Sequence, residues 1–372
     1  MSYKGTVVAG AALLAVAGAT FMPLSAFAQS TVTLYGVFDT GVEYVNRIGA
    51  ANSSVVRMPG ITGTVPSRWG LRGIEDMGGG LKSLFVLESG FAPDSGTSAQ
   101  GGRLFGRQAL VGLSGPWGQV AFGRQWTMMF WGTLDSDILG PNVYGSGSLD
   151  SYLPNARADN AVSYKGTFGG LTLGATYSFG RDTVNAGPSP AGTNCAGENP
   201  ADSRACREWS AMLQYSTNQW GMAAVYDSLR GGPGAFAGLT NSGLTDNRLA
   251  LAGYALFDKA KIGLGMIHRN NGGSPTPHSD LWYGGIAYDV SPALTLSGQA
   301  YYLKVRNSAN KAFLYALRGS YAFSKRTSAY ITAGYIENRG DLALSVSSGA
   351  GGSAPPSGGN QFGTMVGLKH VF

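Results

Sequence analysis

Charge is what this sequence has least of. Asp, Glu, Lys and Arg make up 13% of its residues, against the ~25% usual in a soluble domain. With Phe, Trp and Tyr at 11%, such a chain has too few polar groups to cover a wetted surface. Long apolar runs are missing too. Beyond residue 28 no uninterrupted stretch reaches the ~18 residues that a membrane-crossing helix needs, so no spanning helix is expected there. Histidine is confined to His268, His278 and His370, none beside a recognisable Ser–acid arrangement. G-x-S-x-G, H-E-x-x-H and the phosphate-cradling G-x-x-x-x-G-K are all absent. The expectation is no enzyme, no cofactor and no metal. Lys and Arg are scattered along the chain rather than clustered, which argues against nucleic acid as a partner. Only two cysteines are present, Cys195 and Cys206, inside "GTNCAGENPADSRACREW". In an oxidising compartment these form a local disulfide; free thiols are the alternative.

Glycine, by contrast, is abundant: 58 residues, well above the ~7% norm. The chain opens with Lys4, an apolar stretch from Val7 to Leu24, and "SAFAQS" with its A-x-A pattern at Ala26 and Ala28. Residues 1–28 read as an export signal peptide; a spanning first helix is the alternative, disfavoured by the short Ala- and Gly-rich run. The mature chain, 29–372, loses only Lys4 and drops from the formal +6 to +5. Export, low charge and no membrane helix together point to a transmembrane β-barrel, whose spans are weakly alternating segments.

The alternation is plain to see. In "LTLGATYSF", Leu171, Leu173, Ala175, Tyr177 and Phe179 share one face, and Thr172, Gly174, Thr176 and Ser178 the other. "TSAYITAGY", "ALTLSGQAYY" and "AFLYALRGSYAF" repeat this period of two. Between such segments, short turns ("DMGGG", "GPWG", "TFGG", "SKR") alternate with long polar stretches ("APDSGTSAQGG", "GDLALSVSSGAGGSAPPSGG"). That is the pattern of periplasmic turns and extracellular loops.

Sixteen antiparallel strands are expected. They start near Thr31, Ser67, Leu81, Arg103, Gly118, Asp159, Leu171, Arg207, Trp220, Asp246, Lys261, Ser279, Ala293, Ala312, Thr327 and Gln361. The even count lets "FGTMVGLKHVF" pair with "TVTLYGVFDTGVEY" and close the ring. A barrel of this size is too wide for side chains to fill and encloses water. Charges at the lipid midplane cost roughly 2–4 kcal/mol, so Arg68 and Arg72 should face inward with Trp69 and Leu71 outward. Arg157, Asp159, Ser163, Lys165, Arg248, Arg318 and Lys369 fall inward by the same rule. Asp39, Glu43, Lys82 and Glu88 read as ordinary lumen charges. Most aromatics, Tyr35, Trp69, Phe85, Trp117, Trp209, Trp220 and Trp282, read as interfacial girdle or subunit contacts. For Trp126 and Trp131 a role at the passage stays open.

Taken in order, "STVTLYGVFDTGVEYV", "SRWGLRGIEDMGGGLKSLFVLESGF", "GRLFGRQALVGLSGPWGQVAFGRQW", "ADNAVSYKG" and the terminal "GLKHVF" resemble the general porins of Gram-negative outer membranes, especially the β-proteobacterial branch. The resemblance implies a homotrimer and a third long loop, 127–155, folded inward as a constriction. It implies a basic ladder at Arg68, Arg72, Arg107, Arg124 and Arg157, faced by loop acids Asp135, Asp137 and Asp150. Around Arg107 and Arg124 simple alternation conflicts with that placement, which leaves a bulge or an interface location open. The Pro-Glu-Phe-Gly stretch of some family members is absent here. The resemblance makes Phe372 a signal for the barrel-assembly machinery, and lipid, lipopolysaccharide, ions and small hydrophilic solutes the remaining partners. The expected function is passive, anion-leaning diffusion in the outer membrane. The alternatives are a substrate-selective pore for an anionic metabolite or sugar, and a closed structural or adhesive barrel.

Overall fold

The computed structural model describes residues 31–182 and 195–372; the expected signal peptide lies outside them. The strands in chain order are β1 (Thr31–Ile48), β2 (Ser53–Arg57), β3 (Arg68–Gly78), β4 (Leu81–Gly90), β5 (Gln108–Gly115), β6 (Gly118–Trp126), β7 (Arg157–Ala158), β8 (Ala161–Phe168) and β9 (Leu171–Ser178). There follow β10 (Glu208–Ser216), β11 (Trp220–Arg230), β12 (Thr245–Phe257), β13 (Ala260–Asn271), β14 (His278–Asp289), β15 (Leu294–Val305), β16 (Lys311–Ala322), β17 (Thr327–Arg339) and β18 (Asn360–Val371).

Every pairing is antiparallel, and neighbours in sequence are neighbours in the sheet. The ring closes because β1 offers one edge to β18, from Val37↔Val371 to Val45↔Gly363. Its other edge takes β3, from Thr31↔Ile74 to Val37↔Arg68. Higher up that second edge lies the short β2, and β7 extends the end of β6. Without these two short pieces the ring is a closed barrel of sixteen strands. Phe372 completes the seam: its carbonyl accepts from Gly36 N–H at 3.0 Å and its own N–H donates to the Gly36 carbonyl at 3.1 Å. Hydrocarbon cannot solvate a free strand edge, so this closure is what lipid demands.

The expected strand starts hold to within two residues, with one correction. The strand expected from Arg103 begins instead at Gln108. Gly101 and Gly102 adopt positive φ (+74° and +81°) and turn the chain. The side chains of Arg103 and Arg107 are drawn to Asp159 and Glu88. The short turns expected from the sequence all lie at one rim. The opposite rim is less uniform than expected, since residues 272–277 and 306–310 also connect strands briefly.

Alternation sets the two faces. On β1, Asp39, Glu43 and Val45 are buried while Val32, Leu34, Phe38 and Val42 are exposed. On β18, Met365 is buried and Phe362, Val366 and Leu368 are exposed. Apolar side chains thus coat the outside, as lipid requires.

The buried apolar cluster is not the barrel's own. It is the seam between the inner wall and the third long loop, where Met128, Met129, Leu139 and Tyr144 meet Val225, Leu281, Leu314 and Ile336. The expected disulfide between Cys195 and Cys206 is formed.

Candidate functional site

The loop after β6 turns inward at once. A short helix, α1 (Met128–Thr133), packs on β10, β11 and β12. The approach is close enough to need glycine: a Cβ on Gly132 would stand 2.2 Å from Val225 Cγ2. Met128 N–H donates to Ser210 Oγ at 2.9 Å, and Leu139 N–H to Gln299 Oε1 at 2.8 Å. The loop then crosses to the barrel seam. There Tyr144, at φ +59°, donates its hydroxyl to Glu43 Oε1 at 2.9 Å. Gly334 and Gly363 make room for its ring, since a Cβ on either would lie 2.7 and 2.8 Å from it. On the return, Asp150 meets Arg248 on β12, and Tyr152 Oη sits 2.7 Å from Asp227 and 2.9 Å from Glu208. The loop is therefore bolted to the inner wall from β10 round to β18 and β1. The loop touches the β3–β8 wall at fewer points, chiefly where Trp126 stacks on Phe130 and Lys165 meets Trp131.

The three loop acids part company. Asp137 is buried, taking hydrogen bonds from Tyr301 Oη at 2.9 Å and Ser146 Oγ at 2.6 Å. Burial pushes its carboxyl above the usual range, against the pull of these donors. Asp150 is partly buried. Burial would raise its pKa, but the guanidiniums of Arg248 and Arg269 outweigh that and hold it down to about 2. Asp135 is exposed. Two of the three are thus held by partners on the wall, while Asp135 is exposed.

The five arginines divide also. Arg72 is exposed and lies 5.3 Å over the Tyr35 ring. Arg68 is partly exposed and 3.5 Å from Glu88. Arg107 is buried against the same Glu88, 2.7 Å away. Trp126 lies beneath both Arg107 (5.4 Å) and Arg157 (3.8 Å) and stacks on Phe130 at 3.8 Å. These four form one connected patch. Arg124 belongs to a neighbouring network: its Nε donates to the Gly106 carbonyl at 2.7 Å, and it shares Asp159 with Arg103. Lys165 caps the Trp131 ring at 3.8 Å. A cavity of about 320 Å³ is lined by Arg107, Arg157 and the loop residues Asn142, Ser151 and Asn155, and Arg157 donates across its edge to the Pro154 carbonyl at 3.2 Å.

Sequence reasoning missed the anchors. Tyr144, Tyr152 and Arg248 hold the loop, and Glu43, an ordinary lumen charge by its spacing, accepts from Tyr144. One signal was available: carboxylates at inward positions near the loop-bearing ends of β1, β10 and β11 face hydrocarbon-free space and need donors, which two tyrosines of a Gly/Ser-rich loop can supply.

A family model described as Gram-negative porin matches residues 11–341. An outer membrane porin protein of Bordetella pertussis is 34% identical over 306 residues, 78% of this chain and 74% of that one. Among solved structures, an anion-selective porin from Comamonas acidovorans superposes with a TM-score of 0.73 at 24% identity, covering 92% of this chain and all of that one. The trimer form of OmpT from Vibrio cholerae gives 0.64 at 17% identity, covering 92% and 99%. At such identities the two structures speak for the fold alone. With its sixteen-strand barrel, inward loop and matching family model, this chain belongs to the Gram-negative porins and is an outer-membrane channel protein.

Proposed function

We propose that this porin is a general diffusion channel that prefers anions, passing ions and small hydrophilic solutes between the loop and the β3–β8 wall. One observation carries the reading: Asp137 and Asp150 spend their charge on Tyr301 and Arg248, while Arg68 and Arg72 stay partly open to the lumen. Guanidinium does not titrate in the working pH range, so the positive side persists. The structural relative from Comamonas acidovorans is itself an anion-selective porin. The test is the reversal potential across a planar bilayer in a salt gradient. Wild type should report anion preference, and Arg68→Ala with Arg72→Ala should move the potential toward zero. An unchanged potential in the double variant would sink the pore-lining role.

A second reading has its own observation. The cavity between Arg107, Arg157 and Asn142 has the cations and amides to hold one anionic metabolite. Saturable block of conductance by a single solute would favour it; linear flux of many solutes favours the general channel.

We assign the channel a trimeric state, as in the trimer form of the Vibrio cholerae relative, with the outer faces of the first strands and β18 as contacts. We assign it no catalysis, a cleaved leader at 1–28, and the assembly machinery and lipopolysaccharide as partners.

A further inference from the structure

On the outer wall, at the rim away from the short turns, four strands bring charged residues into one row. The pairings Asp280↔Lys304, Lys304↔Lys311 and Lys311↔Arg339 run across β14, β15, β16 and β17. All four sit on the outward phase, because Leu281, Leu303, Ala312 and Asn338 beside them are buried inward. Like charges directly opposite each other across strands are destabilising, yet three cations stand here in sequence. The two nearby acids are already engaged: Asp280 with Arg306 at 2.6 Å and His268 at 2.7 Å, and Glu337 with Arg339. Among the described residues, Lys304 and Lys311 form no ion pair and both are exposed.

What lies below the row is equally specific. Two residues further down the outward columns come Trp282, Tyr302 and Phe313, the last two stacked at 4.5 Å. Below them an open groove of about 560 Å³ runs along the wall, floored by Gly284, Gly298 and Ala300 and flanked by Tyr315, Leu317 and Tyr335. Strands advance ~3.4 Å per residue, so the groove begins roughly 14 Å from the cations. A groove of small residues walled by aromatics has the shape of a seat for a hydrocarbon chain. A row of uncompensated ammonium groups above it fits a phosphate.

We propose that this column is a binding site for one phosphorylated lipid of the outer leaflet. Its phosphate is held by Lys304 and Lys311, and an acyl chain lies in the Gly284–Tyr315 groove. The site rests on the outer-membrane reading of the chain and goes beyond it, because that reading predicts lipid contact anywhere on the wall but no particular seat. The site offers a partner to both halves of such a lipid, whereas a free phosphate or a bare hydrocarbon would use only one.

The test uses the full mature chain, refolded in detergent, with lipopolysaccharide as the probe and native mass spectrometry as the readout. Wild type should retain the lipid, and lipopolysaccharide stripped of its phosphates should bind about tenfold more weakly. Lys304→Gln with Lys311→Gln should weaken binding by about tenfold. Gly284→Phe, where no atom lies within 4 Å of an added Cβ, should weaken it several-fold with all charges intact. Wild-type affinity in either variant overturns the site. So does displacement of the lipid by inorganic phosphate alone, which would make this an ordinary anion patch. Single-channel conductance is measured alongside. A conducting wild type that shows no phosphate-dependent lipid binding refutes the site and leaves the channel standing, whereas a non-conducting barrel refutes the channel.

Discussion

The carboxylate of Asp150 lies 2.9 Å from Nε of Arg248, ninety-eight residues further along the chain. One partner belongs to the inserted loop and the other to the wall; Arg248 is fully buried and Asp150 nearly so. Breaking a buried pair by removing one member costs about 3–5 kcal/mol, because the survivor is left charged and unpaired. Arg248→Ala should therefore free the returning limb of the loop. The expected readout is noisier and larger single-channel conductance in a barrel that still assembles.

The same pair fixes a pH dependence. Asp150 has its carboxyl held at about 2 in the fold, below the ~3.9 of an unfolded aspartate. A depressed carboxylate adds stability above its unfolded value, and that stability is lost as pH falls through the folded one. Conductance should stay steady from neutral pH to about 4 and become noisy between there and 2. Asp150→Asn should be noisy throughout; a variant as quiet as wild type at pH 7 would disprove the anchor.

Arg124 supplies a contrast to Arg68 and Arg72. Its guanidinium is consumed by Asp159 and the Gly106 carbonyl. Arg124→Ala should lower the thermal midpoint, by analogy with other broken buried pairs at about 3–5 kcal/mol, and leave ion selectivity nearly unchanged. A selectivity shift as large as that of Arg68→Ala would place Arg124 at the passage instead.

The Cys195–Cys206 disulfide closes a loop eleven residues apart in sequence. Loops of this size gain about 3 kcal/mol from a cross-link. Reduction, or Cys195→Ser with Cys206→Ser, should lower the unfolding midpoint in denaturant without altering conductance, since the bridge packs against Ala205 and Ala235 rather than the passage.

Gly132 tests how tightly the loop is seated. A Cβ there meets Val225 Cγ2 at 2.2 Å, so Gly132→Leu must lift α1 off β11 and into the lumen. Conductance should fall, and Gly132→Ala should fall between the two. Equal conductance in all three proteins would contradict the close packing.

The inward phase of Arg68, Arg72, Lys165 and Arg248 could be read from spacing alone, because lipid penalises any charge on the other face. Arg124 could not. Gly123 takes φ +116° just before it, and a period-two count fails across such a residue. The loop acids illustrate a second limit: Asp135, Asp137 and Asp150 look alike as residue types, and nothing local says which will find a hydroxyl or a guanidinium.

By itself the sequence determined the barrel: its even number of strands, its wet and greasy faces, and the pairing of its first and last strands. Those follow from one solvent rule, that hydrocarbon tolerates neither free backbone groups nor charge. Tertiary structure alone decided which charges remain available to solutes. The loop's path across the lumen pairs Glu43 with Tyr144 and Asp150 with Arg248, and contacts between residues so far apart leave no trace in local spacing.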